Sequence, residues 1–261
     1  MFATRSFLFR RPKPVVAVVH VGPTPGVNGG RPVRCAVDRA VAEARLLIDL
    51  GVDGLQIENT HDAPALSEQA MGPEVTAYMT RVAVEVRRHA GRLPIGVRVL
   101  EGGNRVALAV AHAAGLAFVR VDRWTEDPAG PGALLRYRAA LGADDVRLFG
   151  DLRPRPGMDV PTHIAALEEA GADGIVVLPR GPGQAPDEDD IETACARARG
   201  PVFIGGGITV SNFEDYVDRA DGFVIGSGFK EGGYWRAPVC ERRVRQLIGA
   251  VEYARGQEVR Q

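Results

Sequence analysis

The chain has 261 residues, 45% of them hydrophobic and 25% charged, the composition of an ordinary folded domain, which excludes intrinsic disorder. Thirty-two basic residues stand against 33 acidic ones, and a net charge of −1 gives no electrostatic basis for binding nucleic acid or an anionic membrane. A chain this long buries enough surface to fold without a disulfide or metal staple, and Cys35, Cys195 and Cys240 have neither paired nor zinc-type spacing.

Residues 1–14 read as an N-terminal extension. Arg5, Arg10, Arg11 and Lys13 are followed by no long apolar stretch, so the segment is a poor signal peptide, with an Arg-rich transit segment as the alternative. From residue 15, short Val- and Ile-rich runs alternate with helix-period segments. The run 15–20 precedes a helical segment near 36–50, 54–59 precedes 74–89, 95–100 precedes 105–114, and 118–122 precedes 132–141. In the second half, 146–152 is followed by 161–170, 174–179 by 187–199, 202–208 by 211–217, and 222–226 by 238–255. The runs are continuously apolar, as when helices cover the outside of a parallel sheet. Eight βα units predict an α/β chain folded as one (β/α)8 TIM barrel over 15–255, with a tail at 256–261. A doubly wound open sheet would need a topological switch and usually fewer strands. The cysteines fall in helical patterns, where small buried hydrophobes are expected. No run approaches the ~18–20 apolar residues of a spanning helix, and the cytoplasm is the expected compartment.

A weak repeat, Gly51-Val-Asp-Gly, Gly171-Ala-Asp-Gly and Arg219-Ala-Asp-Gly, joins a helix end to a strand start three times. Glycine permits a left-handed cap and Asp-Gly a turn, which assigns these residues to stability at the base of the barrel.

Active sites of such barrels lie at the carboxyl ends of the strands. Outward-facing strand residues pack on helices, so polar residues within strands are expected to face the lumen. His20 ends the first run, Gln56 and Glu58 share a face of the second, and Arg98 lies in the third. Arg120 and Asp122 share a face of the fourth, and Asp151 closes the fifth. Buried charges of both signs must pair with each other or with a ligand. One reading is a structural network with Arg120 clamping Glu58 and Asp122. The other is acid/base catalysis led by Glu58 and Asp151, with His20 and Asp122 as further candidates.

The last two runs end in the glycine-rich turns Gly205-Gly206-Gly207 and Gly226-Ser227-Gly228. Bare backbone N–H groups there can approach an anion, at the place where barrels commonly bind phosphate. Gly206, Gly207, Ser227 and Gly228 are the phosphate candidates, with Lys230 adding charge and Arg98 or Arg120 a second polar contact. Lys13 and Lys230 are the only lysines, so amine chemistry would fall to Lys230. Trp124 and Trp235 lie in loops on this face. Trp124 is a candidate to stack on a sugar or planar base, against the commoner role of loop anchor. No cofactor is expected. No spacing demands a divalent metal, although Glu58, Asp122 and Asp151 could hold one.

Several stretches together resemble the BtpA/SgcQ family. They are Lys13-Pro-Val-Val-Ala-Val-Val-His20 with Pro23-Thr-Pro-Gly26, Gly54-Leu-Gln-Ile-Glu-Asn-Thr-His-Asp-Ala-Pro64, Pro73-Glu-Val-Thr-Ala-Tyr-Met-Thr80, Gly103-Asn-Arg-Val-Ala-Leu-Ala-Val-Ala111 and Leu134-Leu-Arg-Tyr-Arg138. The resemblance spans residues 13 to about 247. It implies a ribulose-phosphate-binding barrel with a phosphate site. The chain departs from the family pattern in three loops: 124–130 is short and lacks an Asp-x-Gly element, 151–157 lacks a Lys-His pair, and 179–183 replaces a Thr-Gly-type loop. The substrate is therefore expected to differ from that of other members, and Arg153, Arg155 and Arg180 could select a second acidic group or be solvated loop charges. The expectation is a homo-oligomeric isomerase or lyase acting on a phosphorylated sugar or phosphoribosyl-type small molecule, with no nucleic-acid partner and no membrane insertion. The family's founding member is a photosystem I biogenesis factor, which implies the alternative of a non-catalytic assembly factor with an exposed apolar patch.

Overall fold

A computed structural model describes residues 8–27, 32–127, 129–181 and 184–258. Eight strands alternate with eight helices: β1 (Val15–His20), α1 (Val33–Asp49), β2 (Gly54–Glu58), α2 (Pro73–His89), β3 (Ile95–Arg98), α3 (Asn104–Ala114), β4 (Phe118–Val121), α4 (Gly132–Leu141), β5 (Arg147–Leu152), α5 (Val160–Glu169), β6 (Gly174–Val177), α6 (Glu188–Arg197), β7 (Val202–Gly205), α7 (Phe213–Tyr216), β8 (Gly222–Ile225) and α8 (Glu241–Glu258). Each strand pairs in parallel with the next, and β1 pairs with β8 to close the barrel. The chain is a (β/α)8 TIM barrel, as the alternation of runs predicts. Some runs outlast their strands. The seventh stops at Gly205 because Gly206 and Gly207 take positive φ (+88° and +70°), while Ile208 stays buried beyond the turn.

The strands sort their side chains by alternation. Val15, Ala17 and Val19 belong to the core beneath the helices, whereas Val16 and Val18 join a separate cluster inside the barrel. That inner cluster is built on aromatic rings. Phe149 meets Phe118 and Phe203 edge to face, with ring centroids 5.6 and 5.5 Å apart, and Phe9 lies 5.6 Å from Phe203. Phe9 is buried, so the barrel's interior already draws on the segment before residue 15. At the other end, α8 runs to Glu258, into the predicted tail, and residues 259–261 lie outside the described residues.

The Asp-Gly repeat has a defined physical role. Asp53 accepts the backbone N–H of Val15 at 2.9 Å, and Asp173 and Asp221 accept those of Leu148 and Val202, each at 2.8 Å. Each carboxylate thus satisfies a donor near the start of the preceding strand. The following glycine leaves room for a ring. A Cβ on Gly54, Gly174 or Gly222 would stand 2.8, 2.7 or 2.5 Å from Phe9, Phe149 or Phe203.

No helix among the described residues is long and apolar enough to cross a membrane. The cysteines depart from expectation. Cys35 is exposed in the first turn of α1, and Cys195 and Cys240 are only half-buried, Cys240 standing just before α8.

Candidate active site in the barrel mouth

Above the aromatic layer the inward positions turn polar: Gln56, Glu58, Arg98, Arg120, Asp122 and Asp151 are all buried. Strand register sets His20, Glu58 and Arg98 side by side on β1, β2 and β3. Arg98 is the hub, reaching Glu58 at 3.2 Å, Asp122 at 2.8 Å and Asp151 at 3.2 Å. Arg120 holds both oxygens of Asp151, through Nε and, at 3.2 Å, through Nη2. This corrects the expected clamp on Glu58 and Asp122, because Asp151 stands on the strand adjacent to β4.

Of the leading acid/base pair, Glu58 lines the main cavity and Asp151 does not. Asp151 has both oxygens occupied by guanidinium donors. Asp122 is similarly occupied, by Arg98 and by the Gly102 N–H at 3.3 Å. Both carboxylates hold the Arg98 guanidinium, and Asp151 also holds that of Arg120. Glu58 accepts from Gln56 at 3.0 Å, from Thr60 at 3.1 Å and from Arg98, but remains in the cavity wall. Burial by itself would raise the pKa of Glu58. Arg98 and Arg120 outweigh it and hold the carboxyl below its ordinary value. Asp122 is lowered in the same way, burial being overcome by Arg98.

A cavity of about 310 Å³ opens above this network. Its walls are His20, Glu58, Arg98, Arg120 and Arg153, closed on the far side by the backbone of the two glycine turns. The glycines are required sterically. A Cβ on Gly207 would meet the Gln184 carbonyl at 2.0 Å, and one on Gly228 the Ile208 carbonyl at 2.2 Å. Among the described residues no backbone acceptor takes the N–H groups of Gly207, Ser227 or Gly228.

His20 is the group best prepared for chemistry. Its Nδ1 lies 2.8 Å from the Trp235 carbonyl. A carbonyl can only accept, so Nδ1 bears the proton and Nε2 keeps its lone pair. Gly226 brings bare backbone close to it, since a Cβ there would lie 3.0 Å from Nε2. Burial, followed by the charge of Lys230, lowers the His20 pKa and keeps the imidazole neutral near pH 7.

Two expected ligand contacts go elsewhere. Lys230 is 1% exposed and pairs with Glu43 of α1, so its amine is directed to that carboxylate rather than to the cavity wall. Glu43 also accepts the His20 backbone N–H at 3.2 Å. Trp124 is buried and donates to the Pro131 carbonyl at 3.1 Å, so it anchors its loop rather than facing a ligand. Arg155 and Arg180 pair with Glu126 and Asp190. Among the described residues no His, Cys, Asp or Glu cluster has a metal-binding disposition, and Glu58, Asp122 and Asp151 converge on Arg98 instead. Sequence reading missed Glu43, His61 and the Trp235 carbonyl. Glu43 lies in a helix, and a backbone acceptor has no side-chain signature. His61, in the stretch after β2, is the one of these with a side-chain signal, and its ring lies 5.2 Å from that of Trp235, tilted by 52°.

A closed parallel barrel with a polar cavity at the carboxyl ends of its strands places the protein among the (β/α)8 TIM barrels. The BtpA family model matches residues 11–253, and the chain belongs to the BtpA family. Photosystem I biogenesis protein BtpA of Synechocystis is 32% identical, over 93% of this chain and 89% of its own length. The mitochondrial protein F13E9.13 of Caenorhabditis elegans is 29% identical, over 93% of this chain and 95% of its own. Among solved structures, phosphoribosyl anthranilate isomerase from Thermus thermophilus shares the fold with a TM-score of 0.59 at 16% identity, covering 94% of this chain and 99% of its own. N-acetylmannosamine-6-phosphate 2-epimerase from Clostridium perfringens shares it with a TM-score of 0.56 at 13% identity, over 82% and 86%.

Proposed function

We propose that this protein binds a phosphorylated sugar or phosphoribosyl-type compound in the barrel mouth and acts on it by proton transfer, as an isomerase or lyase. The observation that carries this reading is one cavity that joins the N–H groups of Gly207, Ser227 and Gly228, unclaimed among the described residues, to the open Nε2 of a neutral histidine. The phosphate sits on the backbone N–H groups of Gly207, Ser227 and Gly228, whereas the N–H of Gly206, also a candidate, is given to the Val224 carbonyl at 3.4 Å. His20 Nε2 takes the proton, and Glu58, ionised beside it, stabilises the imidazolium that forms. Arg98 and Arg120 offset the negative charge that develops as the C–H bond breaks. Return of the proton to a neighbouring atom makes the reaction an isomerisation, and loss of a leaving group makes it an elimination. Two structural relatives named for enzymes of phosphorylated substrates, an isomerase and an epimerase, are in keeping with this.

The test is thermal unfolding with inorganic phosphate, ribose 5-phosphate and nucleotides. Binding to the folded state raises the midpoint by mass action, and no shift with any of them would remove the reading's main support. A second reading, a non-catalytic assembly factor, is favoured by the name of the Synechocystis relative. It predicts that His20→Asn and Glu58→Gln leave biological function intact. The exposed large hydrophobics among the described residues, Val33, Leu66, Val210, Tyr234 and Tyr253, are spread over five segments of the chain.

A further inference from the structure

Arg153 follows β5, and its side chain lines the same cavity as the glycine turns. It also borders a smaller recess beside Asp122 and Asp151. Among the described residues its guanidinium has no hydrogen bond or ion pair, whereas Arg123, Arg155 and Arg180, in other loops of this face, each pair with a carboxylate. Arg123 meets Glu101 at 2.7 Å, Arg155 meets Glu126, and Arg180 meets Asp190 at 2.8 Å. The carboxylates nearest to it in charge, Asp151 and Asp122, are already occupied by Arg98, Arg120 and the Gly102 N–H. Arg98, in the same wall, keeps its buried Nε without an acceptor. Of the three guanidiniums in that wall, Arg98 and Arg120 are paired with Glu58, Asp122 and Asp151, and Arg153 is the one without a paired carboxylate among the described residues. Arg153 is exposed at the rim of the cavity, and the desolvation it does undergo lowers its pKa despite Asp151.

We infer that the substrate carries a second anionic group, a carboxylate or a second phosphate, bound by Arg153 at the edge of the cavity away from the glycine turns. This rests on the phosphate reading above and extends it. A guanidinium presents a planar fork of donors that matches either oxyanion, and its value in the site is discrimination against singly anionic sugar phosphates.

Isothermal titration of the full chain tests it with matched probes. Glycerol 3-phosphate and 3-phosphoglycerate share the phosphate and differ by a hydroxymethyl against a carboxylate. Ribose 5-phosphate and ribulose 1,5-bisphosphate examine the second-phosphate source. In one of the two pairs the doubly anionic member should bind about tenfold tighter or more. Arg153→Gln should cut that preference to about threefold or less while leaving the singly anionic affinity in place, and Arg153→Lys should retain part of it. A wild-type protein without preference in either pair, or an Arg153→Gln variant that weakens all probes alike, overturns the inference and leaves the phosphate reading standing. If neither the probes nor inorganic phosphate bind, the phosphate reading itself fails and this one falls with it.

Discussion

At the scale of single residues, the proposed proton transfer turns on which nitrogen of His20 holds the proton. The Trp235 carbonyl decides this, and the lowered pKa keeps the ring neutral. His20→Asn should therefore reduce kcat/KM on an identified substrate by about 10²–10⁴-fold with the fold retained by circular dichroism. In the wild type, kcat/KM should fall as pH drops, with an acid-limb pKa below the ordinary 6.5, because protonation removes the base. A limb above 6.5 would exclude His20 as that base.

His61 makes a separate prediction about stability. Burial, then the charge of Arg39, pushes its pKa down to about 4, and its Nε2 is buried without a partner. The unfolded chain takes up this proton near 6.5 and the folded chain only near 4. Stability is full above 6.5 and declines as pH falls from there through about 4. Urea midpoints at pH 7 and pH 4.5 should differ more for the wild type than for His61→Gln.

At the scale of elements, the Asp-Gly repeat was legible as a stabilising joint, because Gly51, Asp53 and Gly54 and their counterparts are neighbours in sequence. What each residue does was not legible. The acceptor role of Asp221 involves Val202, and the space left by Gly222 is filled by Phe203, both from the previous strand. Gly222→Ala should lower the urea midpoint through its clash with that ring. Asp221→Ala should cost about 1–3 kcal/mol by leaving the Val202 N–H without its acceptor. Phe9→Ala should cost about 3–5 kcal/mol, the range for emptying a buried aromatic site. A loss near zero would show that Phe9 is an appendage rather than part of the barrel's interior.

At the scale of the whole molecule, the buried Glu43–Lys230 pair ties α1 to the segment after β8 and supports the His20 backbone at the same time. Removing one partner leaves a buried charge, so Lys230→Met should cost about 3–5 kcal/mol in urea unfolding. Adding Glu43→Leu should recover much of that loss, because an apolar pair of similar volume needs no counter-ion. The phosphate-induced rise in unfolding midpoint should survive in the double variant, since Lys230 does not line the cavity.

The sequence by itself determined the barrel, the inward set from His20 to Asp151 and the two glycine turns. Each depends on a local rule: the alternation of runs and helices, a period of two along a strand, or the backbone freedom of glycine. The tertiary structure alone decided which of those groups stay available. Whether Arg120 meets Asp151 or Glu58, whether Lys230 faces a ligand or Glu43, and whether Arg153 finds a partner all depend on ångström distances between strands and helices far apart in the chain. Charge pairing falls steeply with separation in a buried site, so the same residue types can serve as a counter-ion or as a ligand contact, and only their three-dimensional placement tells the two apart.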